Sequence, residues 1–547
     1  MPTDDEGTAR SSPRHALKPT PASERSRLDA LTIATLAVVT VPTLVAVVRL
    51  FTLGPVYLSA DLALTDLRVH DALGLRQLVG PFDRFGWHHP GPMYFYLLAA
   101  VHLVVRDGGR SEYIGAALIN LVSAVAIVWV VRHRAGRWAS LWAALCLGML
   151  GLGLTQSVPN VDEPLGILLG PWNPDVVVFP LILFGVLCAS GALGSWRALV
   201  GAALIGSFTV QTDISTLPVV TVLLVGSAIA LIARTHRARK GIPWLKLGLG
   251  GLVTVALWLP PIIQQAGSNP GNLTLLWRFF TAKHPHYGLA SSFKSVLAAD
   301  EYLIGFSRRL PIGALPQLSN LHAWAILVVL VVAGLLGVVL GIVRTRPLAV
   351  VLGLASLVGS VVSVFAATHI VGSVFPYLLQ WEIALPVMAV IGLGVAVLRG
   401  EPHVALKTLL YAGAAALVVG FSLVMLRLPV SDASDAPVAR AWHIIAPHLR
   451  HDAGKTIFVD TYGNGDESTL WGVLDQLEEH GFHPVTSVLW RIAVGDDYVT
   501  KHHERVYVFL YVPAPNVETM PGYVGHVSTA DIVITDTPPS RAAASPA

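Results

Sequence analysis

Charge is scarce in this chain. Only 13% of its 547 residues are Asp, Glu, Lys or Arg, whereas 54% are hydrophobic, and the mean hydropathy is +0.63. An average soluble protein carries roughly 25% charged residues, so this composition predicts a polytopic membrane protein. The net charge of +3 is small and scattered, which argues against a nucleic-acid-binding function.

The chain has only two cysteines and no visible internal repeat. Cys146 and Cys188 are the only cysteines, and both lie inside apolar runs, so we expect no structural disulfide. No segment of the chain repeats another. Transporters are often built from such repeats, and their lack weighs against that class of protein.

Apolar runs dominate the sequence up to about residue 430. A membrane-spanning helix takes roughly 20 apolar residues. The first run, Ala30 to Phe51, is too long for a signal-peptide core and has no small-residue cleavage site, so it should be retained as a span. We expect 11 to 13 spans from runs centred near 30–51, 91–105, 113–131, 137–155, 176–193, 196–211, 215–234, 244–263, 322–343, 347–367, 376–398 and 408–427.

The basic connections predict which side of the membrane each loop occupies. The basic tail 1–27 predicts a cytoplasmic N-terminus, and the basic connections 234–240, 344–346 and 399–407 should also be cytoplasmic. External loops then follow at 53–90, 156–175 and 265–320. The basic turn 132–137 disagrees by one crossing with alternation from the N-terminus. Either the short run 91–105 is re-entrant, or one span is missing from the count.

The chain changes character near residue 430. Residues 456–460, 506–510 and 531–535 are short apolar stretches bounded by turn residues, which predicts buried strands. Residues 467–480 have the pattern of an amphipathic helix ending at Gly481. We therefore predict an extracytoplasmic α/β domain over 430–537. The polar termini 1–27 and 538–547 are expected to be disordered.

Ionisable residues concentrate in one segment, from Asp61 to Leu98. Four aspartates at positions 61, 66, 71 and 83 precede the sequence Trp-His-His-Pro-Gly-Pro at 87–92, which opens the next apolar run. Ionisable side chains beside a bilayer are costly and usually functional. This segment is therefore the predicted active site.

An acidic first external loop that runs into a His-Pro turn, about a dozen spans and a soluble C-terminal domain together resemble the GT-C class of glycosyltransferases. The likeness is greatest to actinobacterial members of the protein-mannosyltransferase and lipid A aminoarabinose-transferase group. It depends on Asp61 to Tyr96, with weaker similarity at 171–174, 211–213, 258–261 and 270–272. The usual His/Lys-Pro-Pro-Leu turn is here His89-Pro90-Gly91-Pro92, which leaves the subfamily open.

The resemblance implies a cell-membrane enzyme that moves a sugar from a polyprenyl-phosphate donor to a glycan, lipid or protein acceptor outside the cytoplasm. A first-loop aspartate would be the catalytic base, and Asp61 or Asp66 matches it. On a helix these two lie about 140° apart, so they should not act as a pair. Asp61 is favoured because it lies nearer the membrane boundary. The composition suggests an actinobacterium, where arabinose and mannose are both plausible sugars.

Further residues are predicted to bind substrate. Cations would stabilise the leaving phosphate, Trp172 could stack on a sugar ring, and Asp162 with Glu163 resembles a second acidic site that holds acceptor or a divalent metal, Mg²⁺ or Mn²⁺. The full set is Arg68, Arg84, His88, His89, Asp162, Glu163, Trp172, Asp213, Lys283, His284 and His369. For each, the alternative is an ordinary role in capping, packing or solvation.

A second function remains open from the sequence: a transporter or flippase for a lipid-linked envelope precursor. Transporters place ionisable groups near the bilayer midplane. Here the ionisable groups gather in loops that are predicted to lie on one side of the membrane, which favours the enzyme.

Overall fold

The structure is a computed structural model. It describes residues 29–52, 54–156, 166–239, 241–285, 287–304, 320–398, 400–427, 436–449, 454–463, 465–501, 504 and 506–536. The terminal segments predicted to be disordered lie outside these ranges.

Helices make up the membrane part, and each of the twelve predicted apolar runs is helical over most of its length. In chain order they are α1 Ala30–Thr52, α2 Ala60–Leu73, α3 Met93–Val105, α4 Gly108–Ala135, α5 Arg137–Gln156, α6 Gly166–Leu169, α7 Asn173–Val176, α8 Val178–Ala192, α9 Trp196–Thr212, α10 Leu217–Arg237, α11 Trp244–Ala256, α12 Leu259–Gly267, α13 Asn272–Thr281, α14 Leu289–Ile304, α15 Asn320–Val343, α16 Pro347–Ala367, α17 Ala384–Val397 and α18 Val404–Arg427. Short 3₁₀ helices cover Ile214–Thr216 and Pro376–Ile383.

Within the described ranges, nine helical segments are individually long and apolar enough to cross a membrane. A tenth span results if α11 and α12, which meet at a bend of 46°, are counted together. The predicted multi-pass membrane architecture is thus confirmed. The 13-residue helix α3 is short for a span, and it lies where the two halves of the predicted topology disagree. The side of the membrane that each loop occupies stays a prediction.

Local sequence explains where the helices begin and how closely they pack. Helix α4 begins where the carboxylate of Asp107 accepts the backbone N–H of Arg110 at 3.0 Å, a standard N-cap. Helices α5 and α17 cross at Gly394, where a Cβ would stand 2.0 Å from the indole of Trp142. Small residues permit such close approach between membrane helices.

The C-terminal part is the small α/β domain that the sequence predicts. The domain's elements are α19 Ala436–Ile445, β3 Thr456–Tyr462, α20 Glu467–Glu479, β4 His483–Val485, α21 Arg491–Val494, β5 Val506–Tyr511, β6 Tyr523–His526 and β7 Asp531–Thr535, with 3₁₀ helices at Ala446–Leu449, Val488–Trp490 and Asp496–Tyr498. The five strands form one sheet in the order β4-β3-β5-β7-β6, with β3 parallel to β4 and β5 and with β7 antiparallel to β5 and β6. The three predicted strands are β3, β5 and β7, adjacent in this sheet.

This domain rests on the first connection of the membrane part. Helix α20 packs along α2, and the guanidinium of Arg68 donates to the carbonyl of Ala493 at 2.7 Å. The hydroxyl of Tyr498 donates to the carbonyl of Leu67 at 3.3 Å. The first connection also forms a two-stranded hairpin, β1 Phe82–Asp83 and β2 Trp87–His88. These contacts bring the acidic segment and the C-terminal domain to one place.

Candidate active site

A cavity of about 1010 Å³ lies where the first connection, the ends of several membrane helices and the C-terminal domain meet. Its volume is at the upper end of the range for small-molecule sites, about 300–1,000 Å³. Its wall is largely apolar and rich in aromatic rings, and its charged, amide, hydroxyl and imidazole side chains come from Asp61, Asp83, Arg84, His89, Asn173, Asp213, Ser215, His369, Tyr377 and Glu467. An apolar cavity with a few converging polar groups is the usual form of a substrate site.

Asp61 lies in the first turn of α2 and its side chain faces the cavity. The indole N–H of Trp172 donates to its Oδ2 at 3.0 Å. The surrounding protein desolvates the carboxylate and raises its pKa, while the bond from Trp172 acts in the opposite direction. Asp61 is therefore a carboxylate of increased basicity held in a fixed orientation, as a general base requires.

Trp172 has a second partner in the cavity wall. Its ring lies 4.9 Å from that of Tyr377, at an interplanar angle of 55°. The predicted stacking residue thus lines the cavity beside the candidate base. Tyr377 and the predicted substrate-binding residue His369 also line the cavity.

His89 and Asp213 lie near each other on another side of the cavity. The Nδ1 of His89 accepts the backbone N–H of Ile214 at 2.9 Å and lies 4.0 Å from Oδ1 of Asp213. Burial lowers the pKa of His89 to about 4, so its ring is neutral near pH 7. It can form hydrogen bonds to a substrate but supplies no charge.

Asp213 caps the short helix that follows α9. Its Oδ1 accepts the backbone N–H of Ser215 at 3.0 Å and the hydroxyl of the same residue at 2.7 Å. Burial raises its pKa to about 6, against the effect of both hydrogen bonds. Because both bonds fix the carboxylate at a helix start, Asp213 has a structural role that Asp61 lacks.

Arg84 is the only lysine or arginine that lines the cavity in the part of the chain that the structure describes. Its guanidinium stacks on the rings of Phe85 and Phe375, 5.0 Å from each centroid. No carboxylate within the described ranges forms an ion pair with it. A cation held by aromatic rings, with its hydrogen-bond donors uncommitted to a carboxylate, is well suited to bind a phosphate.

Two predicted site residues, His88 and Arg68, do not line the cavity. The ring Nε2 of His88 donates to the carbonyl of Ile492 at 2.9 Å, and the side chain of Asn272 exchanges two 2.8 Å hydrogen bonds with the His88 backbone. Burial lowers the pKa of His88 to about 3. Arg68 is buried and pairs with Asp71 at 3.5 Å. Both residues attach the first connection to the C-terminal domain.

Asp66, the alternative candidate for the base, is fully buried and does not line the cavity. It lies between α2, α4 and α20, close to Asp475 and Glu479. A carboxylate that substrate cannot reach is poorly placed to take a proton from it. Its position favours Asp61 between the two alternatives.

The remaining predicted residues lie elsewhere. Lys283 is exposed. The Nε2 of His284 lies 3.0 Å from the carbonyl oxygen of Phe279. Neither residue lines the cavity. Asp162 and Glu163 lie outside the described residues, so the Mg²⁺ or Mn²⁺ site that they suggest stays a prediction. Within the described ranges, the carboxylates of the cavity form no group of three ligands within 4.8 Å.

Sequence reasoning missed several residues of the cavity. Asp83 belongs to the acidic segment, and the β1–β2 turn, where its Oδ1 accepts the N–H of Phe85 at 2.9 Å, brings it to the cavity. Glu467, Trp471 and Trp490 come from the C-terminal domain. The acidic pattern could have pointed to Asp83. No local pattern could have pointed to the other three, because only the docking of the domain brings them there.

No protein-family model and no curated protein matches the chain significantly. Solved structures do. ArnT from Cupriavidus metallidurans in the apo state superposes with a TM-score of 0.57 at 12% identity, over 92% of this chain and 98% of that one. The same protein bound to undecaprenyl phosphate gives a TM-score of 0.56 at 12% identity over the same shares.

The chain has the GT-C fold. The predicted fold class is therefore confirmed over the membrane part and the C-terminal domain together. A weaker likeness, with a TM-score of 0.40 and 12% identity, extends to the archaeal oligosaccharyltransferase AglB from Archaeoglobus fulgidus, over 88% of this chain and 69% of that one.

Proposed function

We propose that this GT-C chain is a membrane glycosyltransferase that moves a sugar from a polyprenyl-phosphate donor to a cell-envelope acceptor. The observation that carries the proposal is the cavity in which the Asp61 carboxylate, the Arg84 guanidinium and an aromatic wall face one space. These are a base, a cation for phosphate and surfaces for sugar. The similarity in fold to ArnT, which has been observed bound to undecaprenyl phosphate, supports a lipid phosphate as the donor's carrier.

In the proposed reaction, the acceptor hydroxyl attacks the anomeric carbon of the donor sugar. A bond forms between that carbon and the acceptor oxygen, and the bond to the phosphate oxygen breaks. The hydroxyl proton passes to Asp61 as the attack develops. The departing polyprenyl phosphate gains one negative charge, which Arg84 stabilises.

The remaining lining residues would position the substrates. His89, neutral and bonded to the backbone of Ile214, would hydrogen-bond a sugar or acceptor hydroxyl without adding charge. Trp172 would both orient Asp61 and offer its ring to the sugar. Asp213 would maintain the loop that holds His89 and is not needed as a base in this scheme.

The function can be tested in proteoliposomes that contain the purified wild-type chain. Labelled polyprenyl-phospho-mannose and polyprenyl-phospho-arabinose are supplied separately, with envelope glycan as acceptor. We expect label to move from the lipid to the acceptor for one donor, with stoichiometric release of polyprenyl phosphate. If the intact donor instead crosses the bilayer and is never cleaved, the protein is a flippase and the proposal is wrong.

Replacement of Trp172 by Phe should change the pH dependence of transfer. The indole N–H bond to Asp61 lowers the pKa of that carboxyl, so its loss should raise the pKa. The base must be deprotonated to act, and the acidic limb of the kcat/KM profile should therefore move to higher pH by about one unit. The measurement is the pH–rate profile of Trp172→Phe beside the wild type.

Trp277→Phe is the matched control, because Trp277 also lines the cavity but has no bond to Asp61. It should alter KM without moving the acidic limb. If the acidic limb of the kcat/KM profile did not move in Trp172→Phe, the group that titrates there would not be Asp61. Asp213, with its pKa of about 6, would then be the next candidate.

A further inference from the structure

A second group of ionisable side chains lies apart from the cavity, where α2, α3 and α4 meet α20. None of its members lines the cavity, and the proposed transfer reaction uses none of them. We call it the junction cluster, and it consists of Asp66, His70, His102, Glu112, Asp475 and Glu479.

Three members of the junction cluster converge as metal ligands do. The Nε2 of His70 lies 3.1 Å from Oε1 of Glu479, and the ligand atoms of His70, His102 and Glu479 all lie within 4.8 Å of one another. The Nδ1 of His102 lies 3.2 Å from the hydroxyl of Ser111. Such a partner on one ring nitrogen orients a histidine so that the other can bind a metal.

Glu112 provides a separate observation that points to a cation. It is fully buried, and neither of its carboxylate oxygens has a hydrogen-bond partner within the described ranges. It follows Gly108 by one helical turn, so the two share a face of α4. A Cβ at Gly108 would stand 2.3 Å from Oδ2 of Asp66 and 2.4 Å from Oε1 of Glu479. The unpartnered carboxylate therefore faces the cluster.

The carboxylates of the junction cluster outnumber its basic partners. It holds four carboxylates, and no lysine or arginine of the described ranges forms an ion pair with any of them. The nearest basic group to Asp66 among the ion pairs is the Nε2 of His70 at 3.7 Å. Buried carboxylates are normally paired or bound to metal.

We propose that His70, His102 and Glu479 bind a zinc ion, with Asp66 or Glu112 as the fourth ligand. Two imidazole nitrogens with carboxylate oxygens suit Zn²⁺, whereas Mg²⁺ prefers oxygen ligands throughout. Its ligands differ from those of the Mg²⁺ or Mn²⁺ site that the sequence suggests at Asp162 and Glu163. It also does not depend on the proposed sugar transfer.

The ion would fasten the C-terminal domain to the membrane part. Helices α2 and α20 both start at the cavity, where Asp61 and Glu467 line it, and both end at the junction cluster, where His70 meets Glu479. A metal at that end would hold the two helices side by side. It would thereby fix the wall of the cavity that each helix contributes at its other end.

Metal binding is tested on the full-length chain in detergent, after treatment with a chelator and dialysis against ZnSO₄. We expect about one zinc per chain by elemental analysis and a rise of several degrees in the unfolding midpoint. His102→Gln and Glu479→Gln should each weaken zinc binding about tenfold or more. The control His448→Gln, which removes an exposed histidine of the same domain, should bind zinc like the wild type.

A wild-type measurement keeps the test decisive even if a variant fails to fold. Zinc should protect His70 and His102 from diethylpyrocarbonate, mapped by mass spectrometry, and should leave His448 reactive. Stoichiometric binding with that protection supports the site. Absence of zinc binding by the wild type, or binding that protects neither histidine, overturns it.

Discussion

Asp61→Asn should lower kcat for sugar transfer by about 10²–10⁴-fold, the range that a positioned general base contributes. Asparagine has nearly the size of aspartate, and its amide oxygen can still accept the Trp172 indole N–H that now lies 3.0 Å from Asp61. The change therefore removes the proton acceptor and preserves the surroundings. Initial rates with saturating donor and acceptor in proteoliposomes give kcat, and KM for the donor should change little.

Two matched variants show whether the loss is specific. Asp496→Asn removes an aspartate whose side chain is 85% exposed and paired with Arg491, and it should retain full activity. Asp66→Asn changes a residue that the cavity does not reach, so with zinc supplied its transfer rate per folded molecule should stay far above that of Asp61→Asn. Full activity in Asp61→Asn would remove Asp61 from the mechanism, and a large loss in Asp66→Asn at unchanged folding and zinc content would favour the other alternative.

Arg84→Gln should lower kcat/KM for the polyprenyl-phosphate donor by about 10²–10³-fold, as loss of one preorganised charge-stabilising donor does in other enzymes. Arg84 is the cavity's only lysine or arginine in the described part of the chain, and the neutral His89 cannot replace its charge. The loss should appear in both kcat and KM, because the phosphate is charged in the ground state and gains charge as it leaves.

Arg84→Lys distinguishes charge from geometry. It restores a positive charge without the planar fork that stacks on Phe85 and Phe375, so activity should recover only in part. Arg491→Gln is the control, because Arg491 is 61% exposed and does not line the cavity. If Arg84→Gln left donor kinetics unchanged, the phosphate would have to bind elsewhere.

The acidic first loop shows how far local pattern can locate a site. The sequence identified the segment that contains Asp61, Asp83, Arg84 and His89, and all four line the cavity. It also indicated that Asp61 and Asp66 face different directions, because a helix separates them by about 140°. It could not tell which direction was the cavity. That depended on α20, whose packing against α2 encloses Asp66.

His88 and His89 illustrate the same limit at adjacent positions. Neighbouring side chains in extended backbone point to opposite faces, so the sequence could not decide which histidine faces substrate. The hairpin brings His89 to the cavity and directs His88 to the carbonyl of Ile492, 404 residues away in the chain. Each of these roles depends on a partner that is distant in sequence.

The sequence by itself determined the membrane class, the helical character of the twelve apolar runs, the α/β character of the C-terminal domain and the acidic segment beside the first span. These follow from hydropathy and periodicity over about 20 residues, and such information is local. Only the tertiary structure decided which carboxylate faces the cavity, which C-terminal residues complete it, and that His70 lies 3.1 Å from Glu479, 409 positions later. Burial and ligand geometry depend on contacts between distant segments, and no local pattern records them.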